Sequence, residues 1–376
     1  MKVVFFTPYY LPYISGITLY PARILPLLPK NIETMVLTFK HDPGLQWHET
    51  INRVAVERMP FSFKISKGFI SAQSLVIFWN HLRRSDIFMV NLPSVEGLPA
   101  VLLAKLMGKK VISLFHCDIT LSQSFWEKIL SLLIRRIVVL QLQMSTQVIA
   151  YTKDYIESLP YKHVFKNKTM YCLPPIAENE IEPAYLDHLM SLKKDAYWVG
   201  FVGRIAREKG IEIAIEAMKK MPKTAVLVLV GPKGNEVAGE QAYYASILAS
   251  LKKSRINYEL LPTLQEGKLA SVYRALDVLL LPSINQTEAF GMVQAEAMQQ
   301  GTPVVASDLP GVRATINATK AGLLVKSGDV NALADALIKV ASSTWSRTKI
   351  SQKTRSMFSN QEVVRRVSET LGTINQ

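Results

Sequence analysis

Short apolar runs rich in β-branched residues alternate with amphipathic helical stretches almost from end to end of this 376-residue chain, and that rhythm admits few folds. Parallel strands need a crossover of a dozen or more residues, usually a helix, so the alternation builds parallel sheets covered by helices. In the first half, strands are expected at residues 2–7, 34–39, 86–92, 110–115 and 147–151, with helices between them. Residues 98–107 supply helix formers and end at Gly108, a good C-cap; residues 125–143 carry an apolar stripe interrupted by Arg135 and Arg136. The second half restarts the rhythm at 197–202, 225–230, 257–261, 277–282, 303–306 and 322–325. Between the halves, prolines and acidic residues in CLPPIAENEIEPAYLDHLMSLKK break the pattern, so a linker is expected at 176–195. The expected domains are then 1–175 and 196–355, with a terminal helix over 356–376.

Composition narrows the class. With 49% hydrophobic and 20% charged residues, the chain can bury large cores and is not of disordered type. Its two cysteines, Cys117 and Cys172, make neither a disulfide framework nor a zinc spacing. The N-terminal apolar stretch stops at Pro8 and reads as a buried strand rather than a signal peptide. No charge-free run approaches the ~20 residues of a spanning helix, so a cytoplasmic protein is expected. The formal charge of +14 is uneven: residues 1–175 hold 20 Lys+Arg against 10 Asp+Glu. Such a field favours nucleic acid, anionic lipid or a phosphorylated substrate, or simply keeps a basic surface solvated. Nucleic acid is set aside, because no known motif and no interleaving of basic residues with stacking aromatics is present. Neither a G-x-G-x-x-G fingerprint nor a Walker A loop occurs.

The chemistry concentrates in a few segments. Residues 287–313 read TEAFGMVQAEAMQQGTPVVASDLPGVR, with Glu288 and Glu296 eight positions apart and Gly291 between them. At ~1.5 Å rise per residue, two helical glutamates so spaced lie about 12 Å apart and cannot be one acid-base pair. With Glu288 on the preceding loop and Glu296 two turns into the helix, one ligand can touch both. Ala289, Phe290, Gly291 and Met292 would then offer amides at the helix start, an anion site suited to a diphosphate. Residues 203–210, GRIAREKG, place Gly203, Arg204 and Lys209 on the turn after a strand. Fixed cations there would stabilise a departing diphosphate more in the transition state than in the ground state. In the first half, the loop TPYYLPYISGIT has Gly16 available for close backbone approach to a phosphate, and His116 with Asp118 follows a buried strand. Gly231 opens a GPKG turn after the strand AVLVLV. Singly, each feature is common: paired glutamates usually lie on a solvated face, and a lone histidine is usually a structural hydrogen bonder.

As a set, the E-x7-E spacing, the following GTPVVAS strand, the D-x-x-G loop from Asp308 to Gly311 and the GRIAREKG turn resemble glycosyltransferase family 4. That resemblance implies an α/β GT-B fold: two Rossmann-like doubly wound domains facing each other across a cleft, the last helix returning to the first domain. It implies that Arg204 and Lys209 clasp the donor diphosphate, that Glu288 binds the sugar hydroxyls and Glu296 the ribose diol, and that His116 contacts the donor sugar. Gly16, Gly203, Gly231, Phe290, Gly291, Met292 and Gly311 would complete the donor site; the family typically has a Gly-Gly pair where this chain has Ser15-Gly16. The implied activity is retaining transfer from a nucleotide diphosphate sugar, UDP favoured, to a saccharide or lipid-linked acceptor. The implied mechanism is a same-face one that uses no metal and no cofactor beyond the co-substrate. Arg135, Arg136, Lys105, Lys109 and Lys110 would lean on an anionic membrane surface. A non-catalytic nucleotide-sugar binding protein, or an epimerase or phosphorylase of the same fold, would carry the same motifs.

Overall fold

The apolar run after Met1 forms β1 (Lys2–Phe6), whose last four residues are buried, as a central strand covered on both faces requires. The structure, a computed structural model, describes residues 1–65, 68–119, 125–177, 180–232 and 240–375. It divides into two units, one of residues 1–175 with 359–376 and one of residues 176–358.

The first unit continues with α1 (Gly16–Ile24), β2 (Glu33–Phe39), β3 (His48–Ile51), β4 (Val54–Met59) and the small hairpin of β5 (Phe63–Ile65) and β6 (Gly68–Ile70). Then come α2 (Gln73–Leu82), β7 (Ile87–Leu92), α3 (Gly97–Leu106), β8 (Lys110–Phe115), α4 (Phe125–Met144), β9 (Gln147–Ala150), α5 (Lys153–Glu157) and β10 (Thr169–Tyr171). The main sheet runs β10-β9-β8-β7-β1-β2-β4-β3, parallel throughout except for the β3–β4 pair. β3, β4, β5, β6 and β10 are not among the expected strands. β3 and β4 meet at Asn52 and Arg53, both at positive φ, a turn without the glycine that usually marks a two-residue hairpin. β4 also carries the buried Arg58, which interrupts its apolar run.

The second unit comprises α6 (Pro183–Lys193), β11 (Tyr197–Val202), α7 (Ile211–Met218), β12 (Ala225–Val230), α8 (Gln241–Ser254), β13 (Asn257–Leu261), α9 (Glu266–Ala275) and β14 (Val278–Leu281). It ends with α10 (Met292–Gln299), β15 (Val304–Ser307), α11 (Val312–Thr319), β16 (Gly322–Val325), α12 (Val330–Ser342) and α13 (Arg347–Met357). Its sheet, β13-β12-β11-β14-β15-β16, is all parallel. Alternate residues of each strand feed two apolar cores, one per face: Val199 and Phe201 of β11 enter one, Trp198 and Val202 the other. Helices therefore cover both faces.

Part of the expected linker is corrected. Within 176–195, residues 178–179 lie outside the described residues, and α6 is a helix packed on α9. Pro183 stands at its start, where proline needs no N–H partner; Leu189 is buried, and Lys193 pairs with Asp277 at 2.7 Å while donating to the Ala275 carbonyl at 2.8 Å. The proline that reads as a breaker is a helix opener. After α13 the chain continues as α14 (Asn360–Asn375), which packs on α1 and donates from Arg366 Nη1 to the Tyr171 carbonyl at 3.0 Å.

Candidate functional site

In the second sheet the strand order reverses between β11 and β14, and ligands of such sheets bind where the carboxyl ends diverge at that switch point. The loops there carry the two segments singled out by sequence. Lys209, at the end of a short 3-10 turn (Arg207–Lys209), forms an ion pair and hydrogen bond with Glu288 on the loop after β14. The side chains are 20% and 14% exposed, largely sheltered but reachable. The Ile284 amide donates to the Glu208 carbonyl at 3.0 Å, tying the two loops together. Ser283 Oγ lies 3.5 Å from the same Glu288 oxygen, and the Asn285 side chain folds the loop by accepting from the Thr287 amide at 3.0 Å.

Arg204 takes a different direction. Its Nη2 pairs with Glu208 Oε1 at 3.0 Å, an i,i+4 contact with the arginine 48% exposed. Arg204 and Lys209 thus each hold a glutamate of their own.

α10 begins at Met292, so the helix start falls later than the two-turn spacing assumed: Glu296 sits one turn in, and Ala289 and Phe290 belong to the preceding loop, buried. Gly291 is the N-cap at φ +74°, with no side chain capping the first turn; a Cβ there would meet Leu281 Cδ2 at 2.5 Å. An uncapped helix start leaves backbone donors and the positive dipole end facing a ligand. The Tyr273 hydroxyl donates to Glu296 Oε2 at 3.0 Å. Phe290 stacks edge-on against Phe358, 5.9 Å between centroids.

Sequence reasoning missed Gln294. Fully buried, it donates through Nε2 to the Phe290 carbonyl at 2.5 Å and to the Val312 carbonyl at 3.0 Å, bracing the loop before α10 against the start of α11. Gly311 is the N-cap of α11, and Arg313 Nε lies 3.2 Å from Asp308 Oδ1. Gly203 and Gly231 touch: their strands are neighbours, and at φ +150° a Cβ on Gly231 would overlap the Gly203 carbonyl oxygen. Lys233 and Gly234 of the same turn lie outside the described residues.

The first unit has its own reversal, between β1 and β7, and a buried polar network occupies it. His116, just after β8 and 3% exposed, bonds through Nε2 to Asn91 Oδ1 at 2.9 Å and through Nδ1 to the Tyr151 hydroxyl. Asn91 Nδ2 donates to the Ile17 carbonyl at 3.2 Å and to Thr7 Oγ1 at 3.1 Å, which fixes its oxygen toward the imidazole. His116 Nε2 therefore carries the proton and Nδ1 accepts. Burial lowers its pKa to about 3. Both ring nitrogens thus have protein partners. Gly16 is the first residue of α1, behind a capping box in which Ser15 and Thr18 satisfy each other's amides. Ser15 is the cap.

Two cations assigned to a lipid-facing patch are engaged within the protein. Arg135 Nη2 pairs with Asp118 at 2.7 Å, beside the Tyr161 hydroxyl, which donates to the same carboxylate at 2.8 Å; Lys109 Nζ donates to the Ser85 carbonyl at 2.6 Å. Lys105, Lys110 and Arg136 are exposed. Among the described residues no helix is long and apolar enough to cross a membrane, and no group of three His, Cys, Asp or Glu could hold a metal ion.

Two doubly wound units, with a cation-carboxylate pair at the switch point of the second, define an α/β protein of GT-B fold. The fold is shared with sucrose-phosphate synthase of Thermosynechococcus elongatus (TM-score 0.78, 19% identity, 99% of this chain and 98% of that one). It is shared equally with Anabaena HepE solved with UDP-glucose (TM-score 0.80, 18% identity, 99% and 100%). The family model described as glycosyl transferases group 1 matches residues 190–357. D-inositol 3-phosphate glycosyltransferase of Corynebacterium urealyticum is 38% identical over 145 residues, 37% of this chain. The protein of the same description from Mycobacteroides abscessus is 34% identical over 146 residues, 39% of this chain. The matched stretches span about a third of those relatives, 33% and 32% of their lengths.

Proposed function

We propose that the chain is a retaining glycosyltransferase that moves a hexose or related sugar from a nucleoside diphosphate sugar to a hydroxyl of a saccharide or lipid-linked acceptor. The observation that carries this reading is the Lys209–Glu288 pair at the β11/β14 switch point, before the uncapped start of α10. On donor binding Lys209 and Arg204 exchange their glutamates for diphosphate oxygens. Glu288 then takes the sugar hydroxyls and Glu296 the ribose diol, while the α10 amides and the backbone at Gly203, Gly231 and Gly311 approach the rest of the donor. For His116 to bind a sugar hydroxyl, Asn91 or Tyr151 has to release a ring nitrogen. The UDP-glucose named with HepE supports UDP as the nucleotide.

In the transfer, the acceptor oxygen attacks the anomeric carbon on the face from which UDP leaves. The bond from that carbon to the β-phosphate oxygen breaks as the new C–O bond forms, and the acceptor's proton passes to the departing phosphate. No protein base is required. Negative charge grows on the phosphate as the bond breaks, so fixed cations lower the barrier, and they serve where other enzymes use a metal. An anionic membrane is the proposed meeting place with a lipid-linked acceptor.

A thermal-shift screen of UDP, GDP and ADP with their sugars tests the donor, since a ligand specific to the native state stabilises by about 2.7 kcal/mol at 100 times its Kd. Transfer in EDTA is expected to proceed. Lys209→Ala and Glu288→Ala should each lower turnover by roughly a hundred- to a thousandfold with the fold intact; near-full transfer by both purified variants refutes the assignment. Donor binding without transfer to any acceptor would mark a binding protein instead.

A further inference from the structure

α4 is apolar on both of its sides. A helix packed on a sheet normally turns its charged face to water, yet Ser131, Val138, Gln141 and Leu142 are its buried residues. Ile129, Leu133 and Leu140, which share the opposite side at helical spacing, are 37%, 50% and 41% exposed, and Trp126 is 76% exposed. The pattern extends to the neighbouring helices. α3 packs beside α4 and exposes Leu102 and Leu106, while α2 packs beside α3 and exposes Val76 and Trp79. Scattered surface apolar residues need no explanation, but an apolar surface shared by three adjoining helices marks an interaction site.

We infer that this three-helix face seats the protein on an anionic lipid bilayer, its apolar side chains entering the interface while exposed cations hold the headgroups. The inference rests on the proposed meeting with a membrane-borne acceptor and names the surface that makes it. Charge selects the occupant. Over α2, α3 and α4 the cations are Lys105, Lys128, Arg135 and Arg136 against the single carboxylate Glu127; with Arg135 bound to Asp118, three cations remain exposed. Long basic side chains beside apolar ones reach phosphate headgroups while their neighbours sit deeper. Tryptophans at two points of the face, Trp79 and Trp126, suit the boundary between headgroup and acyl chain. A second copy of this chain would bury the same apolar groups, but a two-fold contact brings the same patch of each copy together and sets cation against cation. No described helix is built to span a bilayer, so the face lies on the membrane rather than through it.

The test is co-sedimentation of the full chain with vesicles of equal parts phosphatidylcholine and phosphatidylglycerol, at low and high salt, against phosphatidylcholine alone. Wild-type protein is expected to bind the anionic vesicles and to retain part of that binding at high salt. The double variant Ile129→Glu/Leu133→Glu should bind at least about tenfold more weakly, since burying one such side chain is worth a factor of ten or more. A triple Lys105→Gln/Lys128→Gln/Arg136→Gln variant should lose mainly the salt-sensitive part. Circular dichroism checks folding; should the double variant misfold, quenching of wild-type fluorescence by brominated lipid, reduced in Trp126→Phe, reports the same insertion. Equal binding by folded wild type and double variant overturns this surface while leaving membrane association standing. No binding by wild type to any vesicle overturns both. A dimer of the wild type that the double variant abolishes, without vesicle binding, assigns the face to a second copy and also overturns the inference.

Discussion

Acidification from pH 7 to pH 5 should weaken the first unit by about 2 kcal/mol through His116 alone. In an unfolded chain the imidazole titrates near 6.5; in the folded unit, burial lowers it to about 3. A group whose folded pKa lies below its unfolded one keeps its neutral form on folding, and the unfolded chain binds the proton first. Its contribution is therefore complete above pH 6.5 and declines as the pH falls toward 3. Between pH 7 and pH 5 the unfolded imidazole gains most of a proton and the folded one almost none, which at about 1.36 kcal/mol per pKa unit integrates to about 2 kcal/mol. The assay is urea unfolding of wild type and His116→Gln at both pH values, read by a probe in the first unit. Every other group is common to both proteins, so the difference between the two pH dependences isolates His116. An identical pH dependence, or an imidazole proton resonance titrating near 6, refutes the neutral, doubly bonded histidine. The same reasoning makes His116 uncharged throughout the neutral range, so it supplies no cation to a phosphate there. An inflection near pH 6 in kcat/KM that vanishes in His116→Gln would contradict it.

Two further outcomes follow from local geometry. Gly291→Ala forces a side chain into the left-handed region at the head of α10, costing roughly 1–2 kcal/mol, and displaces Leu281; reduced stability in denaturant melts should accompany a smaller thermal shift with UDP. Arg58 is buried, pairs with Glu49, and donates to the carbonyls of Gln46 and Leu11 at 2.9 and 2.8 Å, holding the loop after β1 to the β3–β4 hairpin. Arg58→Met should destabilise the first unit by about 3 kcal/mol, seen as an earlier first-unit transition, and leave the UDP-induced shift of the second unit unchanged.

The legible parts of the sequence were those whose signal is local. Buried parallel strands announce themselves as apolar runs, and the donor-site segments put their polar residues within a few positions of one another. What the sequence could not show is which distant residues meet. Lys209 and Glu288 lie 79 positions apart and only the β11/β14 adjacency joins them, whereas Arg204 is drawn to Glu208 within its own turn. Thr7, Asn91, His116 and Tyr151 come from four strand ends, and no spacing rule links them. α4 shows the limit of periodicity: the repeat reveals that apolar residues line up, but a helix with apolar residues on more than one side does not reveal which side the sheet takes. Here the buried side took Ser131 and Gln141 along with Val138 and Leu142, and left Ile129 and Leu133 outside.

The Lys209–Glu288 contact also changes how the two charges should be weighed. Read from sequence, they are independent grips, a cation for phosphate and a carboxylate for sugar. In the structure each is the other's partner, both largely sheltered, so neither can take a ligand without releasing the other. A bound donor has to replace both halves at once, phosphate for Glu288 around Lys209 and hydroxyls for Lys209 around Glu288. A fragment offering only one half, such as free UDP or free sugar, leaves one charge partly buried and unpaired, which is unfavourable. On this reading the intact donor binds more tightly than its two pieces bound separately would suggest. Removing either side chain then disturbs both halves of the site, so the loss in the Lys209→Ala/Glu288→Ala double variant should be much smaller than the product of the two single losses.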